Sequence, residues 1–158
     1  MTTSPADTIR RATPEDAETV RTLVVELADH QNEGQFVLST PDKWTEMLSR
    51  DDVIVLLAER DGVPAGYVSA LRRLHLWTGT DVIALDDLYV REQFRDGGLG
   101  QKLMVELARL AAPEQLTINW GLREDNVHAW RFYKRIGASL HTKVVASWNH
   151  AAYSGLID

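Results

Sequence analysis

The order of local signals along the chain predicts an α/β (α+β) fold, a mixed central β-sheet flanked by helices in a single domain. Two helical patterns come first, a hairpin-connected meander of strands follows, and the chain then alternates strand, helix, strand, helix, strand. Val53 to Ala58 is a continuous apolar run, which suits a strand covered by helices. At 158 residues the length matches one domain with a substantial core.

Residues 1–7 read as a flexible polar tail, with the domain over 8–158. Ile9 to Ala12 is the first strand. Thr13-Pro14-Glu15-Asp16 follows as an N-cap, a proline at N1 and an acidic first turn. The helix it opens buries Ala17, Val20, Val24, Leu27 and Ala28, which recur at helical spacing. Ser39-Thr40-Pro41-Asp42 starts a second, short helix carrying Trp44, Met47 and Leu48. Asp61-Gly62 then separates Val53 to Ala58 from a run at Tyr67 to Leu71, the pattern of a tight hairpin, with Pro64 at the start of its second strand. A connection through Trp77-Thr78-Gly79-Thr80 leads to a strand over Asp81 to Val90. A glycine turn and a helix over Gly98 to Ala112 follow, striped by Leu99, Leu103, Leu107 and Leu110, flanked by Met104 and Ala111, and stopped by Pro113. Leu116 to Leu122 is the next strand, Asn126 to Ile136 a helix ended by Gly137, and Val144 to Trp148 the last strand.

Composition narrows the function. The chain has no cysteine, so disulfides, thiolate metal sites and a cysteine acyl-enzyme are excluded. A net charge of -6 disfavours nucleic-acid binding, which relies on clustered Lys and Arg. No apolar run approaches the roughly twenty residues of a membrane span, and Met1 to Asp7 does not resemble a signal peptide, so a soluble cytoplasmic protein is expected. The five histidines lack metal-ligand spacing, and no metal is expected.

The chemistry concentrates at Arg95-Asp96-Gly97-Gly98-Leu99-Gly100. A strand, a glycine-rich turn and a helix start present unpaired N–H groups and the positive end of a helix dipole, a site for phosphate. Gly98 and Gly100 let an anion approach the backbone, and Arg95 offers a charge-assisted bond. Gly-x-x-x-x-Gly-Lys-[Ser/Thr] has no match, because Gly100 is followed by Gln101 and Lys102. The dinucleotide fingerprint lacks its third glycine at Leu103. A turn that merely joins strand to helix remains the plain alternative.

Arg95-x-x-Gly98-x-Gly100 resembles the Arg/Gln-x-x-Gly-x-Gly/Ala signature of the GNAT superfamily of acetyl-CoA-dependent N-acetyltransferases. Leu85-Asp86-Asp87-Leu88-Tyr89-Val90 is similar to that family's Leu-Glu-Asp-Leu-Tyr/Phe-Val strand. Asn126-x-x-Ala129-x-x-Phe132-Tyr133-x-x-x-Gly137-Ala138 is similar to its second cofactor motif. Trp77-x-Gly79 and Phe132-Tyr133-Lys134-Arg135 look most like the diamine (spermidine/spermine) group. Two residues depart from the pattern: Asp86 stands for glutamate, and Asp96 stands for a glycine and places an anion beside the phosphates.

The resemblance implies a GNAT fold and acetyl transfer from acetyl-CoA to a primary amine by direct attack in a ternary complex, releasing CoA. It implies Tyr133 as general acid to the CoA thiolate and Asp86 as base, acting through water. Leu88, Tyr89 and Val90 would line the pantetheine arm, with the Leu88 N–H on the thioester oxygen. Arg95, Asp96, Gly97, Gly98, Leu99, Gly100 and Gln101 would take the pyrophosphate, and Asn126, Ala129 and Tyr133 would touch the arm from the other side. Asp86, Asp87 and Trp77 would bind the acceptor. On an extended strand, Asp86 and Asp87 are expected to face opposite sides. A homodimer is implied by the family alone. Polyamines, diamines, amino-acid-like amines, aminoglycosides and protein N-termini all fit as acceptors, and a non-catalytic acyl-CoA-binding module or sensor is the competing class.

Overall fold

A computed structural model describes residues 5–157. The chain divides into two compact units, Met1–Gly121 and Leu122–Asp158, which are taken in turn. The first carries a sheet of β1 Asp7–Arg11, β2 Val53–Arg60, β3 Val63–His75, β4 Thr80–Val90 and β5 Ile118–Asn119. The strands lie in that order; β1 to β4 run antiparallel and β5 joins β4 in parallel, so the sheet is mixed. Helices α1 Ala17–His30, α2 Pro41–Leu48 and α3 Leu99–Ala111 cover it.

The apolar run in β2 explains the layering. Ile54, Val55, Leu56, Leu57 and Ala58 are all buried, and Val55 and Leu57 join Val20 and Leu23 of α1 and Leu48 of α2 in one cluster. Strand alternation then places Ile54, Leu56 and Ala58 on the other face, and α3 packs on β2, β3 and β4. Leu99, Leu103, Leu107, Met104 and Ala111 form the buried stripe of α3. Leu110 is 42% exposed rather than part of that stripe, because the fourfold steps from Leu103 to Leu107 to Ala111 set the buried line. Leu23, absent from the expected α1 face, is completely buried.

Local signals account for the joints. Asp61 and Gly62 both have positive φ, +51° and +79°, as a two-residue primed hairpin turn requires. Thr40 caps α2 by accepting from the Lys43 N–H at 3.2 Å. Pro64 is the second residue of β3, next to a bulge at Ala58/Glu59 that breaks the pairing.

Residues 1–4 of the expected tail lie outside the described residues. Asp7, placed in that tail by its polarity, instead opens β1 opposite Arg60, because its carboxylate and the Ala6 N–H, bound to Asp61 at 3.0 Å, are held by the β2–β3 turn region. Strand β5 is two residues long, shorter than the run from Leu116 to Leu122.

In the second unit, α4 Val127–Arg135 and a short α5 His150–Tyr153 are the helices. Asn126 caps α4, its Oδ1 accepting from the Ala129 N–H at 3.1 Å. Gly137, with φ +95°, ends it: Gly137 N–H donates to Lys134 O and Ala138 N–H to Tyr133 O, a Schellman motif. Val144 to Trp148 forms no strand. Val144 and Val145 are 89% exposed there, and β-branched composition makes a strand only where a ladder partner satisfies the backbone.

Candidate active site

The site in the first unit is built on the second half of β4. Pairing with β3 passes from Ala70↔Leu85 to Ser69↔Asp87, leaving Asp86 as the extra residue of a β-bulge. A bulge re-aims side chains and interrupts alternation, so strand period alone does not set the sides of Asp86 and Asp87 there. Both carboxylates act on Tyr67, a completely buried residue of β3 whose hydroxyl donates to Asp87 Oδ2 at 3.3 Å. Burial pushes Asp86 up from the ordinary carboxylate range. Burial also raises Asp87, the Asp86 charge adds to it, and the Tyr67 hydroxyl opposes both.

Beyond the bulge, backbone direction matters. The Arg91 N–H donates to Ala65 O at 2.9 Å, which fixes the ladder phase: Tyr89 faces β3, while the N–H and C=O of Leu88 and Val90 point away from it. The β4–β5 register consists of Ile83↔Ile118 and Ala84↔Asn119 and so stops before that stretch. An extended ligand arm could pair there as an added strand. The Leu88 N–H thus points away from β3 instead of into its ladder.

The glycine turn follows directly. Gly98 is the left-handed N-cap of α3, φ +73°, and Lys102 N–H to Gly98 O at 3.0 Å opens the helix. A Cβ at Gly98 would meet nothing within 4 Å, so its requirement there is conformational. Asp96 is also left-handed, φ +67°. That accounts for its departure from glycine, since aspartate is among the few residues that visit this region. Leu99 is 1% exposed, so it offers a ligand only its N–H, alongside those of Gly100 and Gln101. Gly97 packs on the Arg60 guanidinium. Gly98, Gln101 and Lys102 line a cavity of about 540 Å³ that also touches Asp7 and Ile9.

Arg95 reaches back toward the end of β4. Its Nε donates to Val90 O at 2.9 Å, and its side chain lines a second cavity of about 530 Å³ with Glu26, Asp29, Tyr89 and Arg91. There Arg91 grips Glu26 through Nη2 at 2.6 Å and Nε at 2.9 Å, and the Tyr89 hydroxyl donates to the same carboxylate at 3.4 Å. The Arg91 guanidinium holds Glu26 below the usual carboxylate range.

Trp77 is not brought to the carboxylates. It sits 96% exposed in the β3–β4 connection, and six register steps separate His75↔Thr80 from Ser69↔Asp87, roughly 20 Å at strand rise. The hairpin extends far beyond the bulge and so carries Trp77 away from Asp86 and Asp87.

Tyr133, Asn126 and Ala129 belong to the second unit. Tyr133 is 7% exposed, edge-on to Phe132 with centroids 5.1 Å apart, and burial raises its hydroxyl pKa. The Ala129 N–H is spent on the Asn126 cap, which leaves the Asn126 amide nitrogen as the donor for a ligand. Among the described residues, no group of three His, Cys, Asp or Glu could hold a metal, and no helix is long and apolar enough to cross a membrane.

Tyr67, Arg60 and Glu26 carried no sequence signal for the site. Each matters through a partner far away in the chain, and only the position of Arg91, directly after Val90, hinted at the site.

The first unit thus sets a left-handed glycine at a helix start beside a strand stretch whose backbone groups point away from the ladder, the geometry of an anion site next to a strand edge. The chain matches the Acetyltransferase (GNAT) family over residues 21–138 and belongs to that family. It is an acetyl-CoA-dependent N-acetyltransferase. It is 28% identical over 125 residues to a thialysine N-epsilon-acetyltransferase of Caenorhabditis elegans, covering 78% of each chain. It is 28% identical over 136 residues to an aminoalkylphosphonate N-acetyltransferase of Salmonella typhimurium, covering 84% of this chain and 85% of the relative. In fold it is similar to the aminoglycoside N-acetyltransferase AAC(6')-Iy in complex with CoA, with a TM-score of 0.77 at 18% identity over 95% of this chain and 99% of that one.

Proposed function

We propose that this enzyme moves the acetyl group of acetyl-CoA to the primary amine of a small cationic acceptor of the diamine or amino-acid type. The observation that carries this is the Asp86–Asp87 pair at the β4 bulge, beside the outward Leu88 N–H. The names of both curated relatives, thialysine and aminoalkylphosphonate acetyltransferases, support it by describing compact amine acceptors.

Acetyl-CoA supplies a thioester carbonyl that an amine can attack. An acceptor ammonium with a pKa of about 10.4 must first lose a proton. Asp87, braced by Tyr67, holds the cation, and Asp86 takes the proton through water. The Leu88 N–H stabilises the negative charge that develops on the carbonyl oxygen. N–H groups of Gly98 to Gln101 hold the pyrophosphate. By family likeness, the Tyr133 hydroxyl gives its proton to the departing thiolate. Family likeness adds a homodimer, which light scattering after size exclusion checks.

The test is a coupled thiol-release screen with acetyl-CoA against diamines, polyamines, lysine analogues, aminoalkylphosphonates, aminoglycosides and N-terminal peptides. The highest kcat/KM is expected among the small diamines and lysine analogues. Preference for an aminoglycoside would overturn the acceptor class, and CoA binding without turnover on any amine would leave a binding module.

A further inference from the structure

We propose that Asp7 and Arg60 are positioning residues for the cosubstrate pyrophosphate: Asp7 clamps the Arg60 guanidinium against Gly97 and thereby sets the backbone of the Asp96-Gly97-Gly98 turn. The role rests on the proposed use of acetyl-CoA.

The Asp7 side chain is 7% exposed and accepts three charge-assisted hydrogen bonds. Arg60 donates from Nε to Oδ1 at 2.7 Å and from Nη2 to Oδ2 at 3.1 Å, and Lys102 donates from Nζ to Oδ2 at 2.6 Å. One carboxylate therefore joins the start of β1, the end of β2 and the start of α3. These partners hold it ionised down to a pKa of about 2, so the clamp is intact throughout the physiological range.

On its other side the guanidinium lies against the turn. A Cβ built on Gly97 would stand 2.6 Å from Arg60 Nη2, 2.9 Å from Nη1 and 3.1 Å from Cζ. A loose arginine would swing aside, but this one is pinned to a nearly buried carboxylate. Asp96 and Gly98, on either side of Gly97, have φ of +67° and +73°. Aspartate tolerates that region without preferring it, and the Arg60 brace that helps hold it there is in contact with the very next residue. Lys102 shares the cavity beside Gly98 and Gln101 with Asp7. Freeing its ammonium, which is half exposed, offers a phosphate only a screened attraction, so losing the clamp outweighs gaining that cation.

The experiment uses the full chain. In Asp7→Asn, the KM for acetyl-CoA and the Kd for CoA are expected to rise about tenfold, with kcat at saturation and the amine KM within about twofold. A merely structural role would instead lower kcat by shrinking the active fraction and leave the acetyl-CoA KM in place. Gly97→Ala supplies a second measurement should Asp7→Asn fold poorly. It is expected to weaken CoA binding about tenfold alone and less than about twofold when added to Arg60→Ala, because the obstructing guanidinium is then gone. An unchanged acetyl-CoA KM in Asp7→Asn, or an equal Gly97→Ala loss in both backgrounds, overturns the clamp while leaving acetyl-CoA use intact. If the unmodified chain binds no CoA, acetyl-CoA use itself fails, and the clamp with it.

Discussion

Replacing Tyr67 with phenylalanine removes one hydroxyl from a completely buried ring and nothing else. That hydroxyl donates to Asp87 Oδ2 at 3.3 Å and opposes the rise in Asp87 pKa caused by burial and by Asp86. Without it the Asp87 pKa moves further up. The bond is long, so a value somewhat below the range for hydrogen bonds to charged groups applies, about 1 kcal/mol. If ionised Asp87 holds the acceptor cation, the acid limb of kcat/KM for the amine shifts to higher pH. Activity on that limb then falls about fivefold relative to the unmodified enzyme, and the difference closes on the plateau. Stability supplies a second sign. A carboxylate whose folded pKa lies above its unfolded value favours folding most at low pH and loses that advantage as pH rises through the folded pKa. The Tyr67→Phe protein should therefore show its largest melting deficit at neutral pH and a smaller one in acid. A pH–rate profile with an unmoved acid limb, and a melting deficit independent of pH, would refute the link between Tyr67 and Asp87.

Three further outcomes are expected. Tyr133→Phe should lower kcat about a hundredfold while CoA affinity, measured by calorimetry, stays within about twofold. Asp96→Gly should relieve a left-handed non-glycine residue and remove an anion beside the phosphate site, tightening CoA binding by up to about fivefold and slightly raising the melting temperature. Leu103→Ala, at a completely buried position on α3, should cost about 2–5 kcal/mol in chemical denaturation and leave the acetyl-CoA KM of the folded fraction unchanged.

What the sequence could and could not disclose follows from the range of each interaction. Asp61-Gly62, Thr40-Pro41, Asn126 and Gly137 act within a few residues of themselves, and each stands where its local chemistry placed it. The α3 stripe was legible for the same reason, except at Leu110, where one position of phase decides exposure. Features that need a distant partner were not legible. The bulge at Asp86 exists because β3 supplies one residue fewer than β4, and no single strand reveals a mismatch of count. Asp7 looked like tail because polar residues at a chain end usually are, yet its partners lie at residues 60 and 102. Val144 to Trp148 errs the other way, with strand composition and no ladder. The phosphate turn shows both kinds of information at once. Its glycines are readable because Gly98 answers to its own φ, while Gly97 answers to an arginine 37 positions earlier in the chain. A motif written as Arg-x-x-Gly-x-Gly therefore treats Gly97 as a free position, and in this chain the contact with Arg60 makes it a constrained one.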